Sequence, residues 1–303
     1  MLEDNKPKIS KKMRGNRLGF WFFETFLKLF GLKGAYILLY GVALHYLLFD
    51  QEAVFGALSY IKRRFPLDKG FIKRRIHVYR LFVSQGKQLI DRFAILSGSK
   101  LFDIGLNGYD KFASLLSDSN NGFILLTAHL GNWQIALTTL KKMNKPVYLM
   151  MRPEDNLAVK ESLKIDGQDD FIKIISPEGY LGGVVEAMNV LRSGGIISIM
   201  GDRKYGFEGM GVTFLKDEAQ LPFGAFSIAA ASNLPVVVLL SAKLTGNKYM
   251  VDVSNILYPR YNNPESKKEQ LKKYVQEFAV ILEQYTMQYP YQCFLFHNIW
   301  DKQ

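Results

Sequence analysis

The chain has a single cysteine in 303 residues. Cys293 has no second thiol to pair with, which excludes an internal disulfide and argues against a cysteine zinc site or a redox pair. Histidine is also scarce, at four. No two histidines stand four apart, as a zinc protease helix would need. Acidic residues are the minority charge: 28 Asp and Glu against 39 Lys and Arg leave a net charge of +11. That balance calls for an anionic partner, whether nucleic acid, a membrane surface or an acidic substrate. There is no Gly-x-x-x-x-Gly-Lys-Ser/Thr loop and no Gly-x-Gly-x-x-Gly after a strand, so the common nucleotide sites are missing. The reversed spacing at Gly206, Gly209 and Gly211 reads as a flexible loop. No Gly-x-Ser-x-Gly elbow supports a serine hydrolase. Internal repeats and low-complexity tracts are absent too.

What is present begins with a basic tail, residues 1–17, carrying Lys6, Lys8, Lys11, Lys12, Arg14 and Arg17. Residues 18–65 form an aromatic and hydrophobic region whose most apolar stretch, Ala35–Phe49, is interrupted by His45. That stretch falls short of the roughly 20 apolar residues of a spanning helix. Cations flank it on both sides, from the tail and from Lys62, Arg63, Arg64, Lys69, Lys73, Arg74, Arg75 and Arg80. A single span carries its positive charge mainly on one side. The reading adopted is therefore an amphipathic helix or hairpin in the interface, with both basic flanks on anionic headgroups. The competing readings are a buried core helix and a leader cleaved near Gly41-Val42-Ala43.

Residues 66–303 read as one α/β domain. After a helical region over 71–120, with loops near Gly98 and Asn107-Gly108, apolar runs at 123–128, 146–151, 171–175, 196–200, 235–241 and 248–254 read as strands. Helical periodicity fills 133–143, 155–165, 179–193 and 223–232, and a charged helix spans about Glu265–Tyr289 before Pro290 stops it. Strands alternating with helices predict a mostly parallel sheet covered by helices on both faces, with an N-terminal helical membrane-anchor region.

One strand end stands out. The run Phe123–Ala128 leads into His129-Leu130-Gly131-Asn132-Trp133-Gln134. In a parallel sheet, ligands gather at the carboxyl ends of strands, where a histidine is placed for proton transfer. A histidine beside an apolar strand is ordinarily structural, so its context decides. His129 through Ala136 resembles the signature of the lysophospholipid acyltransferase superfamily, in its lipid A late acyltransferase branch. The likeness continues in Met151-Arg152-Pro153 with Asn156, and in Met200-Gly201-Asp202-Arg203. It extends through Gly211–Phe214, Leu221–Ala225 and Tyr289–Gln292, ending with Phe294, Phe296 and Trp300. Ser176-Pro177-Glu178-Gly179 is a decoy: a serine cap followed by proline at the first helical position explains it.

The resemblance implies a membrane-associated O-acyltransferase. It would use an acyl-carrier-protein or acyl-coenzyme A thioester as donor and a lipid A-like glycolipid or related amphiphile as acceptor. No cofactor or metal is implied, and nucleic acid is not an expected partner. The implied location is the cytoplasmic face of the inner membrane. In this reading His129, as the base, and Gln134 are the catalytic candidates, while Asn132, Arg152, Asp202 and Arg203 are the substrate-binding candidates. Arginine suits phosphate because its guanidinium binds bidentately. Asn132 as a helix cap and Trp133 as a packing residue are the plainer alternatives. The amides of Gly131, Asn132 and Trp133 open a helix and are candidate donors to an oxyanion or phosphate.

The departure is Gln134, where the family carries a carboxylate. In serine proteases, replacing the aspartate that orients the histidine by its amide lowers turnover by ~10⁴. Three readings follow: Gln134 suffices, Asp202 or Glu178 approaches His129 from a neighbouring strand end, or the site is degenerate. Two rival functions stand beside acyl transfer, a non-catalytic lipid-binding protein on the same fold and a basic nucleic-acid-binding protein.

Overall fold

The computed structural model describes residues 17–117, 122–135, 145–151, 172–176, 183–203 and 209–300. Three helices come first: α1 (Arg17–Phe49), α2 (Gln51–Arg64) and α3 (Phe71–Leu96). Strand β1 (Asp103–Asn107), helix α4 (Tyr109–Ser117) and strand β2 (Phe123–Thr127) follow. Next come β3 (Val147–Met150), β4 (Ile172–Ile175), α5 (Val184–Arg192) and β5 (Ile196–Met200). A hairpin of β6 (Gly209–Phe214) and β7 (Asp217–Pro222) leads to α6 (Gly224–Ser232). The chain closes with β8 (Val236–Lys243), β9 (Lys248–Leu257) and α7 (Lys267–Gln288).

Seven strands form one sheet in the order β1-β9-β8-β2-β5-β3-β4, parallel except where β9 runs against β8. Strand β2 lies centrally between β8 and β5, and all five of its residues are buried. This explains its continuous apolar run, since a strand covered on both faces has no solvent side for polar residues. Alternation sorts its side chains. Ile124 and Leu126 join Val236 and Val238 in the larger core, which draws on α2, α3, α5, α6 and α7. Phe123 and Leu125 turn the other way, toward Val147, Leu149, Val237 and Phe112 of α4. The sheet is thus covered on both faces.

Two regions differ from the sequence reading. Residues 103–107, expected within a helical region, form edge strand β1, paired in parallel with β9. Gly209 and Gly211, read as loop glycines, lie in β6 and pair with Pro222 and Gln220 of β7. Glycine favours neither strand intrinsically, so tertiary packing decides: Gln276 of α7 bonds both the amide and the carbonyl of Thr213, and Trp300 stacks on Phe214. Gly206 and the helix expected over 155–165 lie outside the described residues, as does most of the one over 133–143.

The N-terminal helix is longer than its apolar core suggested. Leu29–Phe49 spans 21 residues at mean hydropathy 1.4, long and apolar enough to cross a membrane. The axis breaks within it at Gly31 (φ 63°, ψ −170°). From Leu32 to Phe49 the helix is roughly 27 Å long at 1.5 Å per residue, against about 30 Å of hydrocarbon. One face, Ala35, Leu39 and Ala43, is buried, and Leu39 packs so closely on Gly86 of α3 that a Cβ there would meet it at 2.2 Å. The opposite face exposes Ile37, Leu44 and Leu48, and Phe49 is exposed at the helix end.

Helix α2 starts at Asp50, whose carboxylate accepts from the Ala53 amide at 3.0 Å, a standard cap. At its other end Arg64 donates to the Thr286 and Met287 carbonyls, at 2.9 and 3.0 Å, satisfying the end of α7. Its buried face, with Val54, Ala57, Tyr60 and Ile61, belongs to the main core.

Candidate active site

The site is set by register. Strands β2 and β5 are parallel neighbours with Thr127 opposite Met200, and the Gly201 amide continues the pairing by donating to the Thr127 carbonyl at 2.8 Å. Two residues past each partner stand His129 and Asp202, so two strands distant in sequence deliver an imidazole and a carboxylate to one place on the sheet edge. His129 Nδ1 lies 3.0 Å from both carboxylate oxygens, and its backbone amide donates to Oδ2 at 3.0 Å. Asp202 is fully buried, whereas the His129 side chain keeps 24% of its surface open.

Burial pushes the Asp202 carboxyl upward, but the nearby His129 ring, its hydrogen bond, the Arg203 charge and the His129 amide together outweigh that and hold it at about 2. A carboxylate that stays ionised only accepts, so Nδ1 carries the ring proton in the neutral tautomer and Nε2 keeps its lone pair. Among the described residues Nε2 has no hydrogen-bond partner. The contrast with His77 is useful. There Nε2 meets Asp68 at 3.0 Å and Nδ1 meets the Tyr291 hydroxyl at 2.8 Å, with the ring stacked on Phe65. Both nitrogens of His77 are engaged in tying the α2–α3 turn to the C-terminal segment.

The turn after His129 is clamped from behind. Gly131 has φ +60°, and a Cβ on it would sit 1.4 Å from the Ser241 carbonyl oxygen, so only glycine fits. Leu130 bridges Cys293, and the Phe294 amide donates to the His129 carbonyl at 2.8 Å. The Gly131 amide, expected to be a donor to an oxyanion or phosphate, donates instead to the Gln292 carbonyl at 2.7 Å.

Gln134 is buried, and its side-chain oxygen accepts from the Arg92 guanidinium of α3. Burial alone brings Arg92 down to about 10. The carboxylate found at the histidine ring is Asp202, from the neighbouring strand end. Asn132 is buried as well: its amide nitrogen donates to the Gln88 carbonyl at 2.7 Å, and its oxygen faces the Ile135 amide at 3.4 Å. Trp133 packs into the smaller core. Arg203 adjoins Asp202 and donates from Nη2 to the Phe294 carbonyl at 3.3 Å, while its buried Nε has no partner among the described residues. Arg152, Asn156 and Glu178 lie outside the described residues.

Arg92 was not found by sequence reasoning, and Tyr289–Gln292 and Phe294 stood out only as part of the family likeness, not as the clamp on this turn. Arg92 is one cation among many on a basic helix, and nothing local marks it as the one that turns inward. Cys293 is no nucleophile here, because burial, followed by the Asp202 charge, pushes its thiol far up. The arrangement therefore offers a base with an oriented ring and an open nitrogen, suited to direct proton transfer from an attacking hydroxyl.

The family model of bacterial lipid A biosynthesis acyltransferases matches residues 87–302, more than two thirds of the chain and the whole of this site. A search of curated proteins finds no match. The chain belongs to the bacterial lipid A biosynthesis acyltransferase family.

Proposed function

We propose that the protein is a membrane-associated O-acyltransferase that moves a fatty acyl chain from an acyl-carrier-protein or coenzyme A thioester to a hydroxyl of a lipid A-like glycolipid, at the cytoplasmic face of the inner membrane. The observation that carries the mechanism is His129 Nδ1 at 3.0 Å from a buried, ionised Asp202. In this reading Nε2 takes the proton of the acceptor hydroxyl as its oxygen attacks the thioester carbonyl. The C–O bond forms and the carbonyl π pair moves onto oxygen. When the tetrahedral intermediate collapses, the C–S bond breaks and the thiolate leaves with the proton held by the imidazolium. Asp202 stabilises that imidazolium and fixes the tautomer. With the Gly131 amide taken by Gln292, the amides of Asn132 and Trp133 are the remaining first-turn candidates to face the oxyanion. Arg203, and Arg152 from beyond the described residues, are the candidates for phosphate on donor or acceptor.

The Gln134 departure does not argue for a degenerate site once Asp202 supplies the carboxylate, so the catalytic reading is favoured over a non-catalytic lipid-binding one. The test is acyl transfer by purified full-length protein from acyl-carrier protein or acyl-coenzyme A to a lipid A precursor, read by mass spectrometry. His129→Ala is expected to reduce turnover by about 10³-fold or more. Unchanged turnover in that variant overturns the mechanism.

A further inference from the structure

On the other side of the C-terminal clamp lies a groove of about 530 Å³, between α1, α3, the turn after β8 and the Tyr291–Gln292 segment. Its size is that of a small-molecule site. Tyr36 and Tyr40 come from α1, Arg80 and Lys87 from α3, Lys243 from the end of β8, and Tyr291 from the clamp; no carboxylate among the described residues lines it. An adjoining hollow of about 420 Å³ shares Lys243 and Tyr291.

The three cations are held in different ways. Lys243 is paired with Asp91, which lies wholly buried beneath the groove and also receives the Tyr36 and Tyr249 hydroxyls. Lys87 and Arg80 are held by neutral rings. Lys87 Nζ donates to the Tyr40 hydroxyl at 2.9 Å and sits 5.4 and 5.1 Å from the Tyr36 and Tyr40 ring centres. Arg80 donates to the Tyr291 hydroxyl at 3.1 Å, its guanidinium 4.7 Å from the ring centre. A tyrosine fixes a cation without cancelling its charge, and each cation keeps further N–H donors. Among the described residues the groove is therefore a positioned pair of positive charges with no carboxylate partner, in a concave, aromatic setting.

Its mouth abuts α1. Ile37 and Leu44, exposed at 72% and 47%, flank Tyr40 along the helix. Tyrosine favours the boundary between headgroups and hydrocarbon. A ligand with an anionic head in the groove has an apolar surface ready for its tails along the same helix. We propose that this groove binds the phosphodiester headgroup of an anionic membrane phospholipid, with the acyl chains lying along the exposed face of α1. A guanidinium and an ammonium facing one concavity match phosphate oxygens better than they match a zwitterion whose own cation they repel.

The proposal rests on the membrane-facing reading of α1 and not on acyl transfer. The full chain is incorporated into nanodiscs of phosphatidylglycerol or of phosphatidylcholine, released into detergent, and the lipid retained per protein is counted by native mass spectrometry. Wild type is expected to keep one phosphatidylglycerol in preference to phosphatidylcholine. Arg80→Gln/Lys87→Gln lowers that retention about tenfold or more. The control pair Lys272→Gln/Lys273→Gln on α7 removes the same charge, including a lysine that also sits over a tyrosine, and keeps the lipid. His129→Ala keeps it too, which separates this site from any failure of the catalytic reading. Equal retention of phosphatidylcholine, equal loss in both lysine-containing pairs, or full retention in Arg80→Gln/Lys87→Gln overturns the proposal. So does a loss of acyl-carrier-protein binding in that pair with phosphatidylglycerol retained. If the double variant melts early, Arg80→Gln alone decides, because Arg80 is exposed.

Discussion

At the scale of single residues, the proposed mechanism divides the labour: Asp202 orients the ring, and His129 takes the proton. Asp202→Asn presents an amide where the ring needs an acceptor, so the wrong tautomer gains a partner. Turnover should fall by about 10²- to 10⁴-fold with a much smaller change in KM, measured in the same transfer assay. The pair also leaves a mark on stability. The folded carboxyl, at about 2, lies below its ordinary 3.8. Its contribution is therefore fully present above about pH 4 and is lost as pH falls toward 2. Asp202→Asn should melt lower than wild type at pH 7, by roughly 2 kcal/mol, and the gap should close on acidification. A constant gap down to pH 2 means that the stabilisation is not ionic.

Gln134 invites a different expectation from its family position. Its oxygen already accepts from buried Arg92, so Gln134→Glu sets a carboxylate against a guanidinium instead of against the imidazole. The melting temperature should rise by a few degrees, about 1–2 kcal/mol, with turnover within about threefold of wild type. Lost turnover excludes the view that Gln134 is merely a weakened glutamate.

At the scale of elements, α1 has one face committed to the protein and one left open. Replacing Ile37, Leu44 and Leu48 by aspartate alters only exposed positions. Each acidic group costs about 2–3.5 kcal/mol in hydrocarbon and less at the interface. The triple variant should float free of vesicles while melting within about two degrees of wild type. If it stays membrane-bound, the attachment comes from elsewhere, with Phe55, Leu67, Phe71 and Ile72 among the other exposed apolar residues.

Element scale is also where the sequence was most and least legible. The central strands announced themselves because they are buried on both faces, so burial wrote a continuous apolar run into Phe123–Leu126 and Val236–Leu240. Strand β1, Asp-Ile-Gly-Leu-Asn, is partly exposed throughout and sits at an edge, where neither β-branching nor strict alternation is required. The β6–β7 hairpin is a separate small sheet shaped by contacts with α7 and Trp300, which local composition does not encode. The site divides the same way. His129 was visible from its motif and strand end. Its partnership with Asp202 depends on β2 pairing with β5, a choice made across 73 positions. Asp202 was one of two carboxylates under consideration, and only register selects it. Arg92, reached from Gln134 across 42 positions, left no local trace.

At the scale of the whole molecule, the N-terminal helices and the sheet are not separable modules. Tyr60 of α2 is buried in the main core and donates to the Pro290 carbonyl at 2.8 Å. Gln292 accepts from Gln88 of α3 and from the Lys243 amide, and returns a bond to the Lys243 carbonyl. The N-terminal helices and the site geometry are therefore joined through the strap of residues 290–294 that crosses behind the histidine turn.

That strap also sets an order of events during synthesis. The bonds that hold Leu130 and Gly131 come from Gln292 and Cys293, and the His129 carbonyl is met by Phe294. A nascent chain that has not reached Phe294 has its apolar N-terminal helix and its central strands but no closed histidine turn. In a growing polypeptide the apolar N-terminal helix is therefore made first and the histidine turn closes last.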